Sequence, residues 1–147
     1  DLIELIDYVI KTYEKIISKN NISIKFNKTD NFKIIGDRDK LIEIFTNLID
    51  NSIKYSDKNK EITITAKKDG EYNTVSVADQ GIGIPKESIH RITERFFTVD
   101  PSKSRSVGGT GLGLAIVKHL VSQHRAEMDI NSIENKGTTI DIKFNPL

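Results

Sequence analysis

The chain has 147 residues, 37% hydrophobic and 29% charged, and its 22 Lys and Arg against 21 Asp and Glu leave a formal net charge of +1. This length fits one domain whose core needs no covalent staples, and the lack of cysteine excludes disulfides, iron–sulfur clusters and thiolate-held zinc. The near-neutral balance gives no electrostatic reason for a nucleic-acid or membrane-surface partner, and no apolar run approaches the roughly 20 residues a membrane span needs.

Asp1 opens directly into a helical pattern, without Met and without a basic segment ahead of an apolar one. That start reads as a piece of a longer protein. Leu2, Ile6, Val9, Ile10, Tyr13, Ile16 and Ile17 recur at three- and four-residue steps, so one amphipathic helix is expected up to Asn20-Asn21. Alternation of Ile22, Ile24 and Phe26 predicts a strand, and residues 32–35 form a second short candidate. Asp37, after Gly36, is suited to cap a helix running to about Tyr55, with Leu41, Ile42, Phe45, Leu48, Ile49 and Ile53 as its core stripe. Residues 61–67 and 73–78 read as strands joined by a turn at Asp69-Gly70. A Gly-rich loop follows over 79–85, then a partly helical stretch over 86–95. Residues 98–109 have a loop composition, and 110–124 read as a helix. Strands near 128–133 and 138–144 are joined across Asn135-Lys136-Gly137. The order lacks the regular alternation of a doubly wound fold. It predicts an α+β domain over 1–147, a two-layer sandwich in which about three helices cover one face of a mixed sheet.

Three segments carry chemistry. In the second long helix Asn47, Asn51 and Lys54 stand four and three residues apart and share one face. Two amide oxygens and an ammonium in a row suit a metal ion and a phosphate, because Mg²⁺ favours oxygen ligands beside nucleotide phosphates. The same pattern also suits a solvated helix face. Next, Asp79-Gln80-Gly81-Ile82-Gly83-Ile84-Pro85 follows a strand directly. A carboxylate at a strand end can accept a hydrogen bond from an exocyclic amine such as the adenine N6, and the glycines would let backbone approach a flat ring. An ordinary turn is the plainer alternative. Third, Gly108-Gly109-Thr110-Gly111-Leu112-Gly113 runs into a helix start, where free N–H groups and the helix dipole favour phosphate. No strand precedes these glycines as a dinucleotide fingerprint requires, and the P-loop pattern is absent. Phe96 and Phe97, beside Lys103 and Arg105, suit either an anchored lid or plain core.

In order and spacing, NLIDNSIKYS (47–56), DQGIGIP (79–85), ITERFF (92–97), GGTGLGLAIVKHLV (108–121) and KGTT (136–139) resemble the N, G1, F, G2 and terminal glycine boxes of the histidine kinase ATPase domain, a branch of the GHKL superfamily. The resemblance covers about 36–144 and is nearest in wording to phosphate-responsive sensor kinases of Gram-positive bacteria. It implies a Bergerat-type fold binding ATP and Mg²⁺. It implies Asn51 as the Mg²⁺ ligand, Asn47 beside it, Lys54 on phosphate and Tyr55 packed on adenine. Asp79 would read the adenine amine, with Gly81, Gly83 and Ile84 lining the pocket and Thr138 or Thr139 assisting through water. Gly109, Gly111 and Gly113, with the amides of Thr110 and Leu112, would cradle the triphosphate. Asn47, Lys54 and Arg105 are the expected catalytic group.

Three positions depart from the family pattern. Thr98 stands where an arginine often reaches the γ-phosphate, so either Arg105 or Lys103 substitutes or the lid works less well. Thr93 replaces a phenylalanine of the F box, and Arg125-Ala126 replaces a Gly-Gly turn. None of His90, His119 and His124 has the sequence context of a phosphoacceptor. The resemblance therefore implies that the dimerisation and acceptor domain is elsewhere, and that this part binds ATP without phosphorylating itself. It further implies a monomer here, a homodimeric parent anchored in the bacterial membrane with this part in the cytoplasm, and a response regulator downstream. Alternatives are a serine kinase or ATPase of the same superfamily, or a degenerate regulatory nucleotide-binding module.

Overall fold

A computed structural model describes residues 1–56, 60–95 and 113–146. Helix α1 (Leu2–Thr12) starts under the Asp1 carboxylate, which accepts from the Glu4 amide at 3.2 Å. The single helix expected here is two helices, because the chain breaks at Tyr13 before α2 (Glu14–Lys19). The Thr12 hydroxyl donates to the Val9 carbonyl at 2.7 Å, the acceptor Tyr13 would use in a continuous helix, and the Tyr13 amide turns to Ile10 at 3.0 Å. Ile16, placed on the apolar stripe by sequence, is consequently exposed.

Strand β1 (Ser23–Lys28) forms as expected. Residues 32–35 do not form the second strand. Phe32 is buried in the core, and its carbonyl accepts from the Leu2 amide at the start of α1 instead of joining a ladder. Helix α3 (Arg38–Tyr55) is capped by Asp37, whose carboxylate accepts from the Lys40 amide at 3.1 Å. Its buried stripe is Leu41, Ile44, Phe45, Leu48, Ile49 and Ser52, while Ile42 and Ile53 are only partly covered.

Strands β2 (Glu61–Lys68) and β3 (Asn73–Ala78) form a hairpin, and a 3-10 helix (Lys86–Arg91) follows the Gly-rich loop. Helix α4 (Gly113–Gln123) leads to strands β4 (Glu127–Ile133) and β5 (Gly137–Phe144). The five-stranded sheet has the order β1-β2-β3-β5-β4, with β1 and β2 parallel and the other neighbours antiparallel. The mixed sheet follows from α3, a crossover long enough to return β2 alongside β1 in the same direction.

Alternate positions Ile62, Ile64, Ala66, Val75, Val77, Ile140, Ile142 and Phe144 are buried with α1, α3 and α4 in one core. Phe45 of α3 meets Phe144 of β5 with ring centroids 6.4 Å apart. No helix among the described residues is long and apolar enough to cross a membrane. The α+β expectation holds.

Candidate functional site

Asp79 leaves the end of β3, between β2 and β5. Its amide donates to the Thr138 carbonyl at 2.8 Å, one step beyond the β3–β5 ladder. Its Oδ1 accepts from the amides of Gly81 (2.9 Å) and Thr138 (3.2 Å), and its Oδ2 accepts from the Ser52 hydroxyl on α3 (3.3 Å). Burial pushes this carboxyl above the ordinary value of 3.8, and the hydrogen bonds from Gly81, Thr138 and Ser52 oppose that shift. An ionised carboxylate offers about four lone-pair sites. Among the described residues three are filled, which leaves one site on Oδ2 open.

The loop over 79–85 is clasped on both sides. The Ile82 amide donates to the Tyr55 carbonyl at the end of α3 (3.2 Å), and the Ile82 carbonyl accepts from Asn135 in the β4–β5 turn (2.6 Å). A Cβ on Gly81 would stand 2.3 Å from the Tyr55 carbonyl oxygen. Gly83, at φ +69°, would bring one to 2.2 Å from that of Ile133. These glycines are required by protein backbone lying against protein backbone, a reason distinct from approach to a ring. Ile84 is buried, and its amide donates to Ser132 Oγ at 2.7 Å. Ser132 Oγ also lies 3.0 Å from the Gly137 carbonyl and 2.8 Å from the Thr138 hydroxyl. Thr138 thus holds Asp79 directly through its amide, with its hydroxyl committed to Ser132.

On α3 the period puts the predicted trio on one side. Asn47 Nδ2 donates to the Glu43 carbonyl at 2.9 Å, which frees Oδ1 as an acceptor. That Oδ1 is 3.8 Å from where a Cβ on Gly113 would stand, so the asparagine face meets the start of α4. Asn51 is half-buried, and its side chain has no hydrogen-bond partner among the described residues. Lys54 Nζ rests on Asp50 Oδ2 at 2.9 Å, a partner not anticipated from sequence. Burial and then the charge of Asp50 push the Tyr13 phenol up to about 12. The Tyr55 carbonyl serves the loop as above. Gly109, Thr110, Gly111, Leu112 and Arg105, like Thr98 and Lys103, lie outside the described residues.

Sequence reasoning missed Ser52 and Ser132. Both had a signal: each is a small hydroxyl in register with an apolar set, Ser52 following Leu48 and Ile49 on α3, Ser132 following Met128 and Ile130 on β4. The turn after α4 does use positive φ, and Arg125 itself supplies it at +54°. His124 accepts from the Asp37 amide at Nε2 (3.1 Å) and engages the Leu120 carbonyl at Nδ1 (2.8 Å), so both ring nitrogens are committed.

The family model of histidine kinase-, DNA gyrase B- and HSP90-like ATPases matches residues 36–147. The phosphate regulon sensor protein PhoR of Pseudomonas aeruginosa is 43% identical over 111 residues (76% of this chain, 25% of that protein). Sensor histidine kinase WalK of Bacillus subtilis is 43% identical over 106 residues (71% and 17%), so identity does not single out the phosphate-responsive branch. Sensor-like histidine kinase SenX3 of Mycolicibacterium smegmatis is 34% identical over 144 residues (98% and 38%). The chain thus spans between 17% and 38% of these relatives. Among solved structures, a nucleotide-free catalytic domain of histidine kinase ThkA superposes with TM-score 0.84 at 29% identity, covering 99% of this chain and 94% of that one. The mycobacterial sensor histidine kinase MprB gives 0.81 at 28%, covering 100% and 97%. With the five boxes in order, the mixed sheet and the Asp79 clasp, the chain belongs to the histidine kinase-, DNA gyrase B- and HSP90-like ATPase family, and its relatives are sensor histidine kinases.

Proposed function

We propose that this domain binds Mg-ATP between α3, the loop over 79–85 and the start of α4, and donates the γ-phosphoryl group to a histidine on a separate dimerisation and acceptor domain. The observation that carries the reading is the open acceptor site on Asp79 Oδ2, held half-buried by three donors. It fits the exocyclic amine of adenine. The residues on α3 fit the metal: among the described residues the Asn51 side chain and the Asn47 Oδ1 are uncommitted, both neutral ligands of the kind Mg²⁺ accepts beside phosphates. When bound, the ion would neutralise triphosphate oxygens.

This chain's own residues bind and orient. Asp79 fixes the base, Tyr55 covers it, and Asn47 and Asn51 aim the phosphates along α3. Lys54 exchanges Asp50 for a phosphate oxygen. The Gly109–Gly113 segment, with the amides of Thr110 and Leu112, cradles the phosphates, and Arg105 or Lys103 supplies a further cation. Catalysis is positioning and charge stabilisation. The acceptor domain, a homodimeric membrane-anchored parent and a downstream response regulator complete the proposal, with this domain monomeric and on the cytoplasmic side.

Two measurements test it. Titration with Mg-ATP is expected to move the amide resonances of Asn51, Asp79 and Gly113. Mixing the domain with the acceptor domain of its parent and labelled ATP is expected to give acid-labile phosphate. Unmoved resonances refute the site, and an acid-stable phosphoserine product would shift the assignment to a serine kinase.

A further inference from the structure

Ser52 stands out on α3 because it is the one polar residue of the buried stripe, 4% exposed, in line with Leu48 and Ile49. Nothing in the packing of an apolar face asks for a hydroxyl there. Its Oγ lies 3.3 Å from Oδ2 of Asp79, the oxygen that the backbone amides of Gly81 and Thr138 leave alone. Without Ser52, Oδ2 would carry two open lone-pair sites, and the carboxylate would be held through Oδ1 alone. With Ser52, a single acceptor direction remains.

We infer that Ser52 is a specificity-determining positioning residue: its hydroxyl fills one face of Asp79 Oδ2 and holds the carboxylate so that the remaining lone pair faces a single N–H donor. The inference rests on the nucleotide reading above and extends it to the 6-position of the purine. A 6-amino group completes the carboxylate's shell. A 6-oxo group sets one acceptor against another and leaves a desolvated charge unsatisfied, which is the costlier kind of mismatch. Burial already works against the Asp79 anion, and Ser52 is one of three donors that oppose it.

The test compares Mg-ATP with the Mg-triphosphate of unsubstituted purine riboside, which has the same ring and phosphates but no 6-amino group. Calorimetry on the whole domain would measure both. The wild-type chain is expected to prefer ATP. In Ser52→Ala the ATP preference is expected to fall about tenfold, the scale of one hydrogen bond to a charged group, with binding of the unsubstituted analogue unchanged. Ser52→Cys keeps the shape with a weaker donor and is expected to fall between. It also decides the matter should the alanine chain not fold. Equal loss for both ligands would make Ser52 merely structural and overturn the inference, as would an unchanged ratio. A wild-type chain that binds neither ligand, or both alike, would instead refute the adenine reading on which this rests.

Discussion

Asp79 sits where its charge is expensive. Burial raises the carboxyl above 3.8, so the folded chain holds this proton more tightly than the unfolded chain does. Ionisation therefore opposes folding above the folded pKa, and that opposition fades as pH falls toward 3.8. Asp79→Asn should raise the melting temperature at pH 7, since the amide oxygen can keep the Gly81 and Thr138 donors while Nδ2 turns to the Ser52 oxygen. The difference from wild type should shrink as pH is lowered from 7 to 4, measured by calorimetric scans. The same change puts a donor opposite the adenine amine, and a loss of ATP affinity of about ten- to a hundredfold is expected, matching 1–3 kcal/mol for an unsatisfied polar group. A variant with unaltered nucleotide preference would remove Asp79 from the base pocket. Much of this residue's importance was legible in sequence, because a carboxylate directly after a strand and before Gly-x-Gly is a local pattern. Its partners were not: Ser52 is 27 positions away and Thr138 59 positions away, and only folding brings them together.

Elements were readable where the pattern was long and were misread where one side chain overrode it. The 18 residues of α3 repeat the 3.6 period often enough to fix both its apolar stripe and the Asn47–Asn51–Lys54 face. The break at Tyr13 goes with the Thr12 hydroxyl taking a backbone acceptor and the Tyr13 amide turning to Ile10, and no periodicity reveals that. Residues 32–35 have strand composition, yet they have no partner strand because the Phe32 carbonyl is taken up at the α1 start. The α4–β4 connection is a similar case. Arg125 adopts φ +54° on an exposed turn, a conformation that costs a side-chain-bearing residue roughly 1–2 kcal/mol. Arg125→Gly should relieve most of this, less the entropy glycine adds to the unfolded chain, for a net gain of about 0.5–1 kcal/mol in urea unfolding. ATP affinity should not change. A destabilised glycine variant would show that the Arg125 side chain does something the backbone geometry does not reveal.

For the whole molecule, ligand binding and stability are one measurement. Mg-ATP at a hundred times its Kd should add about 2.7 kcal/mol and raise the melting temperature by roughly 5–10 °C. GTP at the same concentration should do markedly less. No shift with ATP would refute the site as a whole. Self-labelling is a separate matter: both His124 nitrogens are engaged and neither His90 nor His119 has the sequence context of a phosphoacceptor, so incubation of this chain alone with labelled ATP should leave no acid-labile phosphate on it. The order of strands adds a last consequence. β5 lies between β3 and β4, so β4 has no sheet neighbour until β5 exists, and β5 brings the amide that steadies Asp79. During synthesis on the ribosome, then, this clasp can close only once β5 has emerged, and a chain cut before Gly137 would keep the asparagine helix yet lack the Thr138 amide that holds the Asp79 carboxylate.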